Sequence, residues 1–219
     1  MERRTIQRTV TILVASLLAV EAAGTASAYD TTFPRRSLQG WKDVPSKTQW
    51  GVRDGALRRS YRPLGYGEFV RRTAYRIRDD FAVTAVMRTS PGRTNAGLTT
   101  LFRDHSNHMW GKIEITPGHP RGFMSIGHRI HGKTSSLLAK ARVRLKRETA
   151  YRVLLSKVGR QIRLTVWTRG GTRLRRIAHT LTRSERRVLR SASKAGLRSK
   201  TLFDEDDGRT RWRWFSITS

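Results

Sequence analysis

Polar, charged and aromatic residues alternate with apolar ones along three segments of the chain, and these residue types could bind a carbohydrate. The alternating polar members are Trp110, Lys112 and Glu114 in the first segment, Ser125, Arg129 and His131 in the second, and Gln161, Arg163, Thr165 and Trp167 in the third. Indole rings offer flat apolar surfaces, while guanidinium groups hydrogen-bond carboxylates and hydroxyl groups. If the three segments are neighbouring strands, they form one polar face suited to a sugar chain. The alternative is three separate strand faces in contact with solvent.

These segments belong to a series of short elements in which apolar residues recur at every second position. The series runs from Phe81 to Trp167 and returns at 211–217, and its members are bounded by Gly, Pro, Asn or Asp. A period of two between turn residues is typical of β-strands. The sequence therefore predicts an all-β fold of two antiparallel sheets packed as a sandwich. Trp212 and Trp214 have the same parity on the last strand, which predicts that both lie in the core.

One segment breaks the strand pattern. Thr182 and Glu185 have the spacing of a capping box, in which each side chain bonds the other residue's backbone N–H. Val188, Leu189 and Ala192 would then form a narrow apolar stripe. The pattern predicts one short basic helix within 182–193, with a loop as the alternative.

The amino terminus has the three parts of a secretory signal. Basic residues stand at positions 3, 4 and 8, an apolar run covers 10–20, and Ala26-Ser27-Ala28 forms a small-x-small cleavage site. The apolar run is shorter than the roughly 20 residues that cross a bilayer, and no later segment is apolar enough to do so. We expect residues 1–28 to be removed and the protein to be secreted.

The remaining chain is strongly basic and lacks cysteine. Residues 1–28 contain three of the 45 basic and two of the 16 acidic residues, which leaves 42 and 14 in the other 191. Such an excess of positive charge attracts polyanions, and a chain without cysteine has neither disulfides nor thiolate metal sites. We expect an arm at 29–48 and a single domain at 49–219. Its expected partner is a polysaccharide or an acidic cell-wall polymer.

Several motifs in this order resemble the concanavalin A-like, laminin-G-like jelly roll of secreted bacterial proteins. They are Trp-Gly-Val-Arg-Asp-Gly-Ala-Leu at 50–57, Asp-Phe-Ala-Val-Thr at 80–84, Ala-Gly-Leu at 96–98 and 195–197, and Asn-His-Met-Trp at 107–110. The resemblance covers roughly residues 45–219. It implies two antiparallel sheets, one of them concave, with glycan-binding sites on the concave sheet or its rim.

The enzymes of this broad family carry motifs that can be sought in the chain. Concanavalin A-like glucanases have Glu-x-Asp-x-x-Glu on one strand, whereas the corresponding strand here offers Glu114 alone. Because glycoside hydrolysis usually needs two carboxylates, a hydrolase of that type is not expected. A non-catalytic binding protein is the favoured interpretation.

A polysaccharide lyase acting on a uronate polymer is the alternative. The segment 126–131 is similar to the Gln-Ile-His strand motif of alginate-type lyases, although Arg129 stands where the glutamine belongs. Elimination needs a base, an acid and a cation that neutralises the uronate carboxylate. In this hypothesis His131 is the base, Arg129 or Arg163 the neutralising cation, and Tyr151 the proton donor.

The sequence suggests two further ligands, a calcium ion and nucleic acid. Asp204, Asp206 and Asp207 resemble the start of a calcium loop, but an EF-hand would need glutamate where Phe215 stands. A structural calcium ion is therefore an alternative, and no other cofactor is expected. The net charge also predicts non-specific binding of nucleic acid at low salt.

Overall fold

The computed structural model describes residues 29–33, 38–44, 50–59, 65–73, 75–119, 121–201 and 209–219. The strands are β1 Tyr29–Thr32, β2 Trp41–Val44, β3 Trp50–Arg53, β4 Ala56–Arg59, β5 Gly65–Arg72, β6 Phe81–Arg88, β7 Thr94–Asp104, β8 Asn107–Ile115, β9 Gly122–Ile130, β10 Lys133–Val143, β11 Ala150–Val158, β12 Gln161–Thr168, β13 Arg173–Thr180, β14 Lys194–Thr201 and β15 Arg211–Thr218. A single helix within these ranges, α1, covers Arg183–Val188.

The strands form two antiparallel sheets. In the first sheet the order is β13-β12-β11-β6-β15-β4-β3, and β1 also pairs with β15. In the second sheet the order is β10-β9-β8-β7-β14-β5-β2. The predicted two-sheet sandwich is confirmed. The described parts of the segment 29–48 supply β1 to the first sheet and β2 to the second.

The core lies between the sheets because successive side chains of a strand point to opposite faces. Val83 and Met87 of β6 and Met109 and Ile113 of β8 are completely buried. Trp212 is buried with them, as predicted. Trp214 is only partly buried, because a bulge between Trp212 and Trp214 shifts the register. The prediction that both indoles share the core is wrong for Trp214, since a bulge reverses pleat parity.

Two tight hairpins fix the register of neighbouring strands. Asp54 and Gly55 link β3 to β4 with φ of 53° and 66°, and His131 and Gly132 link β9 to β10 with φ of 50° and 76°. Two successive positive φ angles are the geometry of a type I′ turn, which matches the twist of the strands.

The predicted capping box begins α1. The Thr182 hydroxyl accepts from the Glu185 N–H at 3.2 Å, and the Glu185 carboxylate accepts from the Thr182 N–H at 2.7 Å. Val188 and Leu189 are buried, which confirms the apolar stripe. The helix ends at Val188, earlier than the predicted range. It is not long and apolar enough to span a membrane, and α1 is the sole helix within the described ranges.

Candidate functional site

The outer face of the second sheet carries a set of polar side chains, most of which are buried. We call it the polar face. Its members are Tyr66 and Glu68 of β5, Asn95 of β7, His108, Trp110, Lys112 and Glu114 of β8, Arg129 of β9, and Arg198 and Lys200 of β14. The strand register places Glu68 opposite Arg198, and Arg198 opposite Gly97. Because glycine has no side chain, the groups on either side of Gly97 can approach each other.

Arg198 lies at the centre of the polar face. It forms an ion pair with Glu68, and its guanidinium carbon lies 3.9 Å from the centre of the Tyr66 ring and 4.2 Å from that of Trp110. A carboxylate and two aromatic rings thus hold the guanidinium. Both ring distances are within the range of cation–π interactions. Burial lowers the pKa of Arg198 to about 10. Arg198 is therefore charged at neutral pH.

Three cations converge on Tyr66. The Lys200 ammonium lies 4.7 Å and the Lys112 ammonium 5.8 Å from the centre of the Tyr66 ring, in addition to Arg198. Burial alone would raise the pKa of Tyr66, but Lys112, Arg198 and Lys200 together outweigh burial and lower it. Tyr66 and Lys200 are both partly exposed. An anion that reaches this part of the face would meet the Lys200 ammonium and a phenol, beside Arg198 and Lys112, which form ion pairs with Glu68 and Glu114.

His108 is neutral beneath this cluster. Burial, assisted by the positive charge of Arg129, lowers the pKa of His108 to about 4. A neutral ring can donate from Nδ1 to the Asp104 carbonyl oxygen at 3.3 Å and accept at Nε2 from Arg198 at 3.4 Å. His108 therefore orients Arg198 without adding charge.

The polar face has hydrogen-bonding capacity that its own residues do not use. Five buried atoms find no hydrogen-bond partner among the residues that the structure describes: Glu68 Oε2, Asn95 Oδ1, His105 Nδ1, Trp110 Nε1 and Arg198 Nε. The distance of 3.8 Å between His105 Nδ1 and Glu68 Oε2 is within range of an ion pair but too long for a hydrogen bond. Unpaired buried polar atoms cost stability in a purely structural network, so these atoms are candidates for a functional role.

The structure brings together part of the predicted carbohydrate face. Trp110, Lys112, Glu114 and Arg129 lie on adjacent strands β8 and β9 and share the polar face. A sugar-binding groove would expose its indoles. Trp110 is instead 2% exposed and packs against the guanidinium of Arg198.

Ser125 also lies on this face, opposite Lys112. The predicted members on the third segment and His131 lie elsewhere. Gln161, Arg163 and Trp167 belong to β12 in the first sheet, so the three strands do not form a single face. This corrects the prediction, because pleat parity sorts side chains within a strand but does not assign the strand to a sheet. His131 occupies the turn after β9, where its N–H donates to Asn107 Oδ1 at 3.0 Å.

The four residues of the lyase hypothesis are likewise not assembled. Arg163 is on the other sheet, and Tyr151 is buried in the core, where its hydroxyl accepts from the Lys146 N–H at 2.7 Å. Arg129 is bound to the carbonyl oxygen of Gly132 and to the ring of His105. The proposed calcium ligands Asp204, Asp206 and Asp207 lie outside the described residues.

Residues of β5 and β14 complete the polar face and were missed from the sequence. Tyr66 and Glu68 alternate with glycines at 65 and 67, and Arg198 and Lys200 alternate with serine at 199. Neither stretch alternates polar with large apolar residues, which is the usual signal of a half-buried strand. The signal that was available is the period-two spacing of aromatic and charged residues.

Comparison with known proteins bears on the fold. No protein-family model and no curated protein sequence matches the chain. Basic winged bean lectin, solved with Tn-antigen, has a TM-score of 0.60 at 10% identity and covers 89% of this chain and 98% of its own. The chain has the two-sheet sandwich fold of this lectin.

Two other solved structures support the same assignment. The CBM2 module of the evolved Dit protein of Lactobacillus casei BL23 phage J-1 has a TM-score of 0.65 at 8% identity, over 88% of this chain and 95% of that module. A xylan β-1,4-xylosidase from Bacillus halodurans C-125 has a TM-score of 0.65 at 16% identity over 87% of this chain. The match covers only 39% of the xylosidase chain. At these identities the likeness extends to the fold alone.

Proposed function

We propose that the protein is a secreted, strongly basic protein that binds an acidic polysaccharide on the polar face of the second sheet. The observation that carries the proposal is the convergence of Lys112, Arg198 and Lys200 on Tyr66. Secretion rests on the signal-like residues 1–28. The lectin and the carbohydrate-binding module with this fold lend support at the level of the fold.

The geometry suits a carboxylate-bearing sugar. The partly exposed members of the face, Tyr66 and Lys200, lie where a ligand can reach them, while Arg198 and Trp110 are held behind them. Flexible ammonium groups can pair with uronate carboxylates, and the Tyr66 hydroxyl can hydrogen-bond a sugar oxygen. Trp110 then acts as a support for Arg198 rather than as a stacking platform for sugar rings.

Calorimetric titration of the purified protein tests this proposal. Polygalacturonate should bind at about 0.3 M salt, where long-range screening removes most non-specific charge attraction, and neutral dextran should not. Any nucleic acid bound at low salt should dissociate under the same conditions.

A matched pair of variants locates the binding site. Lys200→Gln should weaken polygalacturonate binding roughly fivefold or more, as expected for the loss of one partly buried charge contact. Lys140→Gln removes the same charge from exposed β10 of the same sheet and should have less than about a twofold effect. Equal losses in both variants would contradict the assignment of the site.

A uronate lyase is the second candidate, favoured by the lowered pKa of Tyr66 among three cations. In that reaction the Tyr66 phenolate would remove the proton at C5 of the uronate. The electron pair would form the C4–C5 double bond as the C4–O bond breaks, and the leaving oxygen would take a proton from the resulting phenol. Incubation with polygalacturonate would then give shortened chains with ultraviolet-absorbing unsaturated ends, and Tyr66→Phe would abolish them. Intact chains after incubation would exclude this candidate and leave the binding protein.

A further inference from the structure

A charged surface separate from the polar face lies on the first sheet. Five adjacent strands, β13, β12, β11, β6 and β15, contain no aspartate or glutamate. Their eight arginines are Arg88, Arg152, Arg163, Arg173, Arg175, Arg176, Arg211 and Arg213. These five strands thus carry arginines without carboxylates of their own, whereas the polar face contains Glu68.

The strand register places two of these arginines in a row with Arg58 of the next strand, β4. Arg58 of β4 is opposite Arg211 of β15, and Arg211 is opposite Arg88 of β6. Like charges at directly opposite positions destabilise a sheet. Burial and the neighbouring Arg58 and Arg88 lower the pKa of Arg211. Asp54 pairs with Arg58 at 2.7 Å, and it is the single carboxylate that the described residues bring to this row as an ion pair.

A second row runs parallel to the first, two residues further along the strands. Its members, in order across the sheet, are Trp214, Val86, Arg152, Trp167 and Arg173. Trp214 reaches this face because of the bulge in β15. Since neighbouring strands lie about 4.8 Å apart, the row extends roughly 20 Å, and the two rows are about 7 Å apart.

We propose that these two rows bind a linear polysaccharide bearing sulfate or phosphate esters. Guanidinium groups bond tetrahedral oxyanions through two parallel N–H donors, and an array of them selects a chain with repeated oxyanions. A chain that crosses the strands from β4 towards β13 meets Arg58, Arg211 and Arg88 on one side. The indole of Trp214 on the other side provides apolar contact for a sugar ring.

The position of Arg152 favours a polysaccharide over single-stranded nucleic acid. Its guanidinium lies 4.5 Å from the centre of the Trp167 ring, so one face of that indole is already covered. Salt-resistant binding of single strands depends on bases stacking on open aromatic faces. The described arrangement offers charge at regular spacing but a restricted stacking surface.

The test compares two double variants of equal net charge. Arg88→Gln with Arg211→Gln removes two central arginines, whereas Lys140→Gln with Arg142→Gln removes two cations from exposed positions of β10 in the other sheet. At about 0.3 M salt, heparin and a teichoic acid with sugar rings in its phosphodiester backbone are the sulfate and phosphate probes, and an oligothymidylate is the nucleic-acid probe. Thermal unfolding of each variant verifies folding, and Arg152→Gln serves as a second probe of the surface if the first double variant does not fold.

We expect the two double variants to differ in their affinity for these polymers. The affinity for heparin, for the teichoic acid or for both should fall roughly tenfold or more in the Arg88→Gln, Arg211→Gln variant and less than about twofold in the control. The probe with the larger loss identifies sulfate or phosphate as the preferred group. Equal losses in the two variants, or tighter binding of oligothymidylate than of either polymer, would overturn the proposal. Polygalacturonate binding at the polar face should not change, so this result and the proposed function can fail separately.

Discussion

Glu68 and Arg198 form an ion pair at opposite positions of β5 and β14, with side chains that are 0% and 4% exposed. Removing one partner from such a buried pair leaves an uncompensated charge and typically costs about 3–5 kcal/mol. We expect Arg198→Met and Glu68→Leu each to lose stability on this scale. The double variant Glu68→Leu, Arg198→Met should recover most of it, because both charges are then absent. Urea unfolding of the four proteins measures the coupling, and simply additive losses would contradict the pair.

The lowered pKa of His108 makes the stability of the folded protein depend on pH between about 6.5 and 4. Burial lowers the pKa from 6.5 to about 4, so the unfolded chain takes up a proton first as the pH falls. Stability should therefore decrease from about pH 6.5 to pH 4. The charged groups facing the ring are Arg129, Asp104, Arg198 and Glu68, whose Oε1 lies 3.5 Å from His108 Nε2.

The contribution of His108 can be isolated with His108→Gln. Between pH 7 and 4.5 the wild-type protein should lose about 2 kcal/mol more unfolding free energy than the variant. Urea unfolding at the two pH values provides the comparison. Parallel losses would show that the neutral ring does not set the pH dependence.

Glu185 should act in a lower pH window. Burial would raise its pKa, but hydrogen bonds from His128, from the Thr182 N–H and from His179 outweigh burial and lower it to about 2. The stabilisation is complete above the ordinary value of 4.5 and is lost as the pH falls towards 2. His128 and His179 reach the carboxylate at 2.7 and 3.0 Å and connect α1 to both sheets.

Glu185→Gln tests this window because glutamine can retain the capping box. Between pH 5 and 2.5 the wild-type protein should lose about 2 kcal/mol more stability than this variant. Glu148→Gln, at an exposed position, is the control and should follow the wild-type curve. If the unfolding free energy of Glu185→Gln fell with pH as steeply as that of the wild-type protein, the Glu185 carboxylate would not govern acid unfolding.

Gly127 is a steric requirement of the polar face. A methyl group on Gly127 would lie 2.7 Å from the Trp110 ring and 2.7 Å from the Ser135 carbonyl oxygen. We expect Gly127→Ala to cost about 1–3 kcal/mol and to change tryptophan fluorescence. Gly51→Ala should change stability by less than about 0.5 kcal/mol, because no residue that the structure describes lies within 4 Å of the added methyl group. Equal stabilities of the two variants would show that Gly127 is not needed to accommodate the Trp110 ring.

The sequence predicted features that depend on neighbours along the chain. Alternation placed Met109 and Ile113 in the core, and the spacing of Thr182 and Glu185 identified the helix start. It did not predict the partnership of Arg198 with Glu68, because these residues are 130 positions apart and a charged residue carries no pattern that marks burial. Nor does parity assign β12 to the first sheet, which requires knowledge of strand order.

The most direct test of the central claim is a crystal structure of the protein with a short galacturonate oligosaccharide. The account predicts that a uronate carboxylate contacts the ammonium of Lys112 or Lys200 beside the Tyr66 hydroxyl, over the outer face of the second sheet. An oligosaccharide bound elsewhere, with Tyr66 and Lys200 free of ligand, would contradict it.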